Sequence, residues 1–183
     1  MIFEPTEMEG SYVISISPIM DERGWFARTF CKDEFNEKGL NTEWAQMNHS
    51  FTKEKGTVRG MHFQKPPYAE VKLIRCIGGK VFDVMVDLRK NSETFLQWFG
   101  VELSAQNKKM IYIPEGFAHG FQSLEDDSEL VYMHSKPYEK NAEGAIRYND
   151  EKVHINWPYA VTNISKRDNE HSLLPENFEG LNI

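Results

Sequence analysis

The sequence predicts an all-β fold, a sandwich or barrel carrying one or two short helices, and three observations predict it. Apolar and polar residues alternate at period two along the middle of the chain. The alternating runs are short and recur about every ten residues, the spacing of sandwiches and barrels rather than of βαβ sheets. Turn chemistry separates the runs, at "GG", "KNSE", "SAQNKK" and "LEDDSE".

Taken in order, the runs are "YVISIS", "TEWAQMNHSF", "VKLIRCI", "KVFDVMVDLRK", "QWFGVEL", "KMIYIP" and "ELVYMHS". Alternation is clearest in the fourth, where Phe82, Val84, Val86 and Leu88 share one face and Asp83 and Asp87 the other. The two aspartates read as structural, bonding neighbouring strands or turns. The helical candidate is "KDEFNEKG", with Asp33 at its N-cap and Gly39 as its stop. After about Trp157 the chain reads as a loop-rich tail. With 183 residues, no repeat and no low-complexity tract, residues 1–183 form one domain.

Composition removes several classes. A net charge of −7 does not supply the basic face that phosphate contacts demand, so no nucleic acid is expected. No apolar run approaches the ~20 residues of a membrane span, and "MIFEPTEMEG" is not a secretory leader. The expectation is a soluble, cytoplasmic protein without a membrane partner. Cys31 and Cys76 read as reduced core residues.

The stretch "TVRGMHFQKPPYAEVKL" is too polar for a buried hairpin that binds nothing. "GTVRGMHFQ" reads G-x5-H-x-Q, and "PEGFAHG" reads P-x-G-x-x-H. These resemble the two half-motifs of the cupin jelly roll, in which histidines point into the barrel. Gln64 stands where metal-binding cupins carry a second histidine, and a carboxamide is a weak ligand. A site of His62, His119 and Glu70 is therefore a poor metal trap, and no metal is expected. Arg59 and His62 are three apart, so a regular strand would point them to opposite faces. Gly60 between them is the place for a bulge that re-aims one.

"DERGWFARTF", "QMNHSF", "KLIRCIGGKVFDVMVDLRKNSETF", "GVELSAQNKKMIYIPEGFAHGF" and "RYND", together with the first half-motif, resemble the successive motifs of the dTDP-4-dehydrorhamnose 3,5-epimerase family. The resemblance spans about Gly10 to Leu174. It implies a cupin jelly roll and a homodimer that acts, without cofactor, on a nucleotide-diphosphate sugar with a 4-keto-6-deoxy ring. Epimerisation beside a ketone removes a proton from one face, holds an enolate and returns a proton to the other face. By resemblance His62 is the base, a role that suits a residue with an ordinary pKa of about 6.5. Lys72 resembles the group that steadies the enolate oxygen, Tyr132 the acid and Asp168 the carboxylate that orients the imidazole. His119 resembles a supporting histidine.

For the rest of the ligand, Arg23, Arg59 and Arg167 resemble phosphate contacts and Phe26, Tyr138 and Glu143 match pocket-lining positions, while Gln46 and Asn48, alternating on "QMN", share a face from which both reach sugar hydroxyls. Arg23 and Phe26 are expected to serve a partner's site in a dimer. Many members read R-G-x-F-x-E, whereas this chain reads "RGWFAR", so Arg28 replaces a carboxylate with a cation among the binding residues. His49, His134, His154 and His171 match no catalytic position and read as surface or packing residues.

Overall fold

The structure, a computed structural model, describes residues 1–183. Near the N-terminus run β1 (Ile2–Pro5), β2 (Tyr12–Ser15), β3 (Ile19–Asp21) and β4 (Gly24–Phe26), then α1 (Lys32–Glu37). The long strands follow: β5 (Gln46–Thr52), β6 (Thr57–Gln64), β7 (Lys72–Gly78), β8 (Lys80–Asp87) and β9 (Trp98–Ser104). β10 (Lys109–Ile113), β11 (Phe117–Ser123) and β12 (Ser128–His134) complete them. Three short elements end the chain: β13 (Glu143–Ala145), β14 (Asn163–Ile164) and α2 (Lys166–Asn169).

Two sheets form the jelly roll. One has the order β1-β2-β10-β7-β12-β5 and the other β13-β6-β11-β8-β9, with β14 added in parallel to β6. Met8, Ile74, Met85, Leu103, Ile111, Phe121 and Leu130 form the packed core and come from both sheets. No helix is long and apolar enough to cross a membrane.

Each of the seven sequence runs contains a strand, with shifts that have physical causes. In "TEWAQMNHSF" the strand begins only at Gln46, because Trp44 turns aside to pack on Phe30. α1 is capped by Cys31 without a side-chain bond; Asp33 lies in its first turn instead. Its stop is the expected glycine: Gly39 takes φ +68°, and Leu40 and Gly39 donate to the carbonyls of Phe35 and Asn36, a Schellman closure. The tail after Trp157 is mostly irregular, yet it supplies β14 and α2.

β8 is buried on both faces. Asp83 shares the sandwich side with Val81 and Met85, while Val84, Val86 and Leu88 pack outward beneath Ile146, Val153, Trp157, Leu174 and Phe178 of the C-terminal segment. Asp87 has the structural role read for it. Its carboxylate accepts from Arg89, Ser92 and Thr94 and closes the β8–β9 turn.

The bulge falls where Gly60 places it. Along β11 His119 pairs with His62 and Phe121 with Arg59, so two steps on one strand oppose three on the other. The extra residue brings Arg59 and His62 to the same cleft. Gly60 has φ +120°, and a Cβ there would lie 2.6 Å from Gly120 Cα and 2.8 Å from the His119 carbonyl oxygen. Gly60→Ala should therefore lower unfolding stability by roughly 1–3 kcal/mol, read from urea denaturation. An unchanged midpoint would contradict this account of the bulge.

Candidate active site

A cleft of about 780 Å³ opens between the sheets at one end of the sandwich. Period-two alternation puts Gln46, Asn48 and Ser50 of β5 on its floor, and strand pairing sets Tyr132 and His134 of β12 beside Asn48 and Gln46. Lys72 of β7 pairs with His134. The opposite wall is His62 and Gln64 of β6 with His119 of β11.

His62 is held by a carboxylate. Its Nε2 lies 2.8 Å from Asp168 Oδ1, and the Gly60 amide donates to Asp168 Oδ2 at 3.3 Å. Asp168 is carried into place by α2, which is capped by Ser165 accepting from the Asp168 amide at 3.0 Å. Burial alone would raise the Asp168 carboxyl, but the His62 ring, the Gly60 amide and Ser165 together hold it below the usual carboxylate range. An ionised carboxylate only accepts, so Nε2 carries the proton and Nδ1, which has no partner in the chain, keeps its lone pair.

A second imidazole–carboxylate pair lies deeper. His119 Nε2 donates to both oxygens of Asp83 at 3.0 Å, and burial pushes His119 down, toward the neutral ring, although Asp83 opposes the shift. Asp83 thus bonds a neighbouring strand, as read from the sequence, and through that bond fixes the His119 ring that lines the cleft.

Lys72 is buried beneath the floor, 3.2 Å from the His62 carbonyl oxygen and 3.3 Å from Glu70 Oε1. Glu70 also accepts from His134 Nδ1 at 3.0 Å, while His134 Nε2 receives the Asn48 amide at 3.3 Å. Burial works to raise Glu70, but His134 and Lys72 outweigh it and keep its carboxyl low. Asp168 and Glu70 therefore add stability that is present above the ordinary carboxylate pKa. It is lost as pH falls from there through their lowered values.

Tyr132 stands between the two histidine groups. Its ring meets His119 edge-on at 6.1 Å and lies nearly parallel to His134 at 6.2 Å, and its hydroxyl is 2.8 Å from Ser50 Oγ. Burial pushes the phenol up, with Ser50 partly offsetting, so it holds its proton at neutral pH.

Gln64 is fully occupied: its amide donates to the carbonyls of Tyr68 and Pro137, and its oxygen accepts from the Glu139 amide at 2.6 Å. It staples two loops and has no free oxygen aimed at a ligand. At the mouth, Glu143 receives both Tyr138 Oη, at 3.1 Å, and the Arg167 guanidinium. Arg59 Nε donates to Thr52 Oγ1, and an Nη to the Phe51 carbonyl.

Three expected binding residues are not in this chain's own cleft. Arg23 sits at the tip of the β3–β4 hairpin, 82% exposed and paired with Asp21; Phe26 is 73% exposed; Arg28 is 3.6 Å from Glu34. The hairpin pairs with no other strand and touches the sandwich through Trp25, which meets Arg75 of β7 and Lys108. Sequence patterns also missed two cleft histidines. His49 and His134 line the cleft, and His171 lies 3.7 Å from Asp168 Oδ1, whereas His154 is exposed as expected. The signal for His134 was its period-two relation to Tyr132, which places both on one face.

Inverting a carbon beside a ketone takes one group to remove a proton and another to return it on the far side, and the two walls carry a candidate for each. The fold is a jelly roll, and the relatives that match it are isomerases of the epimerase class. The family model described as dTDP-4-dehydrorhamnose 3,5-epimerase matches residues 5–176. A dTDP-4-dehydrorhamnose 3,5-epimerase of Shigella flexneri is 44% identical over 164 residues, 89% of this chain and 90% of that protein. The crystal structure of the enzyme of that name from Elizabethkingia anophelis superposes with a TM-score of 0.92 at 37% identity, covering 97% of this chain and 98% of that one. A Legionella pneumophila dTDP-6-deoxy-D-glucose-3,5-epimerase, solved in complex with dTDP-4-keto-L-rhamnose, gives 0.89 at 35% identity, covering 94% and 92%. The chain belongs to the dTDP-4-dehydrorhamnose 3,5-epimerase family.

Proposed function

We propose that this enzyme converts dTDP-4-dehydro-6-deoxyglucose to dTDP-4-dehydrorhamnose by inverting C3, C5 or both through an enolate. The carrying observation is that a carboxylate-held imidazole and a buried phenol stand on opposing sheets, with a buried ammonium nearby. His62 Nδ1 takes the proton next to the ketone, and Asp168 stabilises the imidazolium that forms. Lys72 faces the developing enolate oxygen, while His119, whose one ring proton goes to Asp83, supports the wall behind it. Tyr132 returns a proton to the opposite face, and solvent reprotonates the phenolate while His62 releases its proton. Arg59 and Arg167 at the mouth meet the diphosphate, Gln46 and Asn48 the sugar, and Tyr138 and Glu143 the remaining mouth contacts. Two thiols without a disulfide suit a reducing compartment, and we place the enzyme in the cytoplasm.

The test offers the purified protein dTDP-4-dehydro-6-deoxyglucose and its UDP and GDP counterparts, with product followed by NMR. The proposal expects inversion of the dTDP sugar; no inversion of either of its carbons would overturn it, whether or not the UDP or GDP sugar turns over.

The exposed hairpin supports a homodimer as well. Ile19, Met20, Trp25 and Phe26 are 71%, 69%, 47% and 73% exposed on it, and Met47 at 65% and Phe51 at 52% are exposed on β5, the edge strand of its sheet. A second copy covering this patch satisfies the open edge and carries Arg23 and Phe26 to the other subunit's cleft. Sedimentation equilibrium at micromolar concentration should give twice the chain mass, and a monomer would refute the arrangement.

A further inference from the structure

We propose that His62, Asp168 and His171 form a transition-metal site, and that zinc bound there inhibits the enzyme. Each of the three side chains offers one ligand atom, a ring nitrogen or a carboxylate oxygen, and these atoms all lie within 4.8 Å of one another. His62 Nε2 and His171 Nε2 are 2.8 and 3.7 Å from Asp168 Oδ1. Zinc bonds of 2.0–2.2 Å in tetrahedral geometry place ligand atoms about 3.3 Å apart, a value that lies between those two distances. Two imidazoles and one carboxylate also leave a fourth position for water, as in open zinc sites.

His171 is the informative member. Its Nε2 is buried and has no hydrogen-bond partner, and it belongs to no part of the cleft lining. A buried ring nitrogen without a partner is uncommon and calls for an explanation. A cation shared with Asp168 supplies one, and the α2 turn that carries Asp168 places His171 three residues further on the same side.

Inhibition follows from the chemistry of one ring. Nε2 of His62 now carries the proton and donates it to Asp168, which leaves the Nδ1 lone pair to accept from substrate. A metal needs the Nε2 lone pair, so the ring's single proton moves to Nδ1 and the base loses its acceptor. No electron transfer or co-reactant is involved. The inhibition, unlike the metal site itself, rests on His62 being the base.

The test is equilibrium dialysis against Zn²⁺ alone, with turnover measured in parallel. Wild type should take up one equivalent and lose activity reversibly, with EDTA restoring it. His171→Gln should keep basal turnover, escape inhibition and bind zinc more weakly by more than the roughly 10–100-fold that loss of an outer-shell partner costs. The control His154→Gln should match wild type. Equal zinc affinity in wild type and His171→Gln overturns the site. Uptake that depends on His171 without loss of turnover keeps the site and counts against His62 as the base, so the two failures are distinguishable.

Discussion

His62→Asn should lose both inversion and solvent-deuterium incorporation, with turnover lower by roughly 10²–10⁴, the usual worth of one general base. Four cleft imidazoles meet a carboxylate, and exposure separates the roles of the two on the β6–β11 wall, His62 and His119. The His62 side chain is 36% exposed and that of His119 only 8%. A base must reach substrate and exchange its proton with solvent, whereas a buried neutral ring suits a fixed donor or packing partner. His119→Asn should therefore leave exchange measurable by NMR in D₂O. If His119→Asn abolished exchange and His62→Asn did not, the assignment of the base would be reversed.

Lys72→Met should raise the barrier to the enolate by about 3–4 kcal/mol, suppressing exchange and inversion together by roughly 10²–10³. The same change has a cost to folding, because Lys72 is paired with a buried carboxylate. Methionine would leave Glu70 with His134 as its remaining partner, and breaking a buried pair costs about 3–5 kcal/mol. The double variant Lys72→Met with Glu70→Gln removes that stranded charge. It should recover most of the melting temperature while leaving turnover as low as in the single variant. Recovery of turnover along with stability would show that Lys72 acts only as a structural counter-ion.

How much of this was legible in the sequence depends on the range of the interaction. β7, β8, β10 and β12 showed because each alternates over a length that one window captures. β1, the β3–β4 hairpin, β13 and β14 were missed because they are two to four residues long and are strands only by virtue of their partners. The double burial of β8 was not visible either, since the segment that covers Val84 and Val86 lies about 60 residues further along the chain. Among site residues, His62, Lys72, Tyr132 and Asp168 were found through their motifs, and the cleft brings them together. Glu70 was placed with His62 and His119, but only as a weak metal ligand, and the signal of Asp83 pointed elsewhere. A carboxylate beside valines reads as a strand's polar face, and only the fold reveals that this face is buried inside the sandwich and that His119 meets the carboxylate there. Arg23, Phe26 and Arg28 carry the opposite lesson. Their motif was plain, but the β3–β4 hairpin and the segment just after it lie outside the cleft of their own sandwich, so motif and cleft are on different surfaces of one chain.

Tyr132→Phe in D₂O tests most directly whether the two walls act as separate ends of one proton relay. Losing the phenolic proton leaves His62, Asp168 and Lys72 in place, so the enolate still forms and His62 reprotonates it from the side it left. NMR of dTDP-4-dehydro-6-deoxyglucose with this variant should show deuterium entering beside the ketone with little net inversion, at a rate lower by roughly 10²–10⁴. Full inversion at close to the wild-type rate would contradict the account and remove Tyr132 from the proton path.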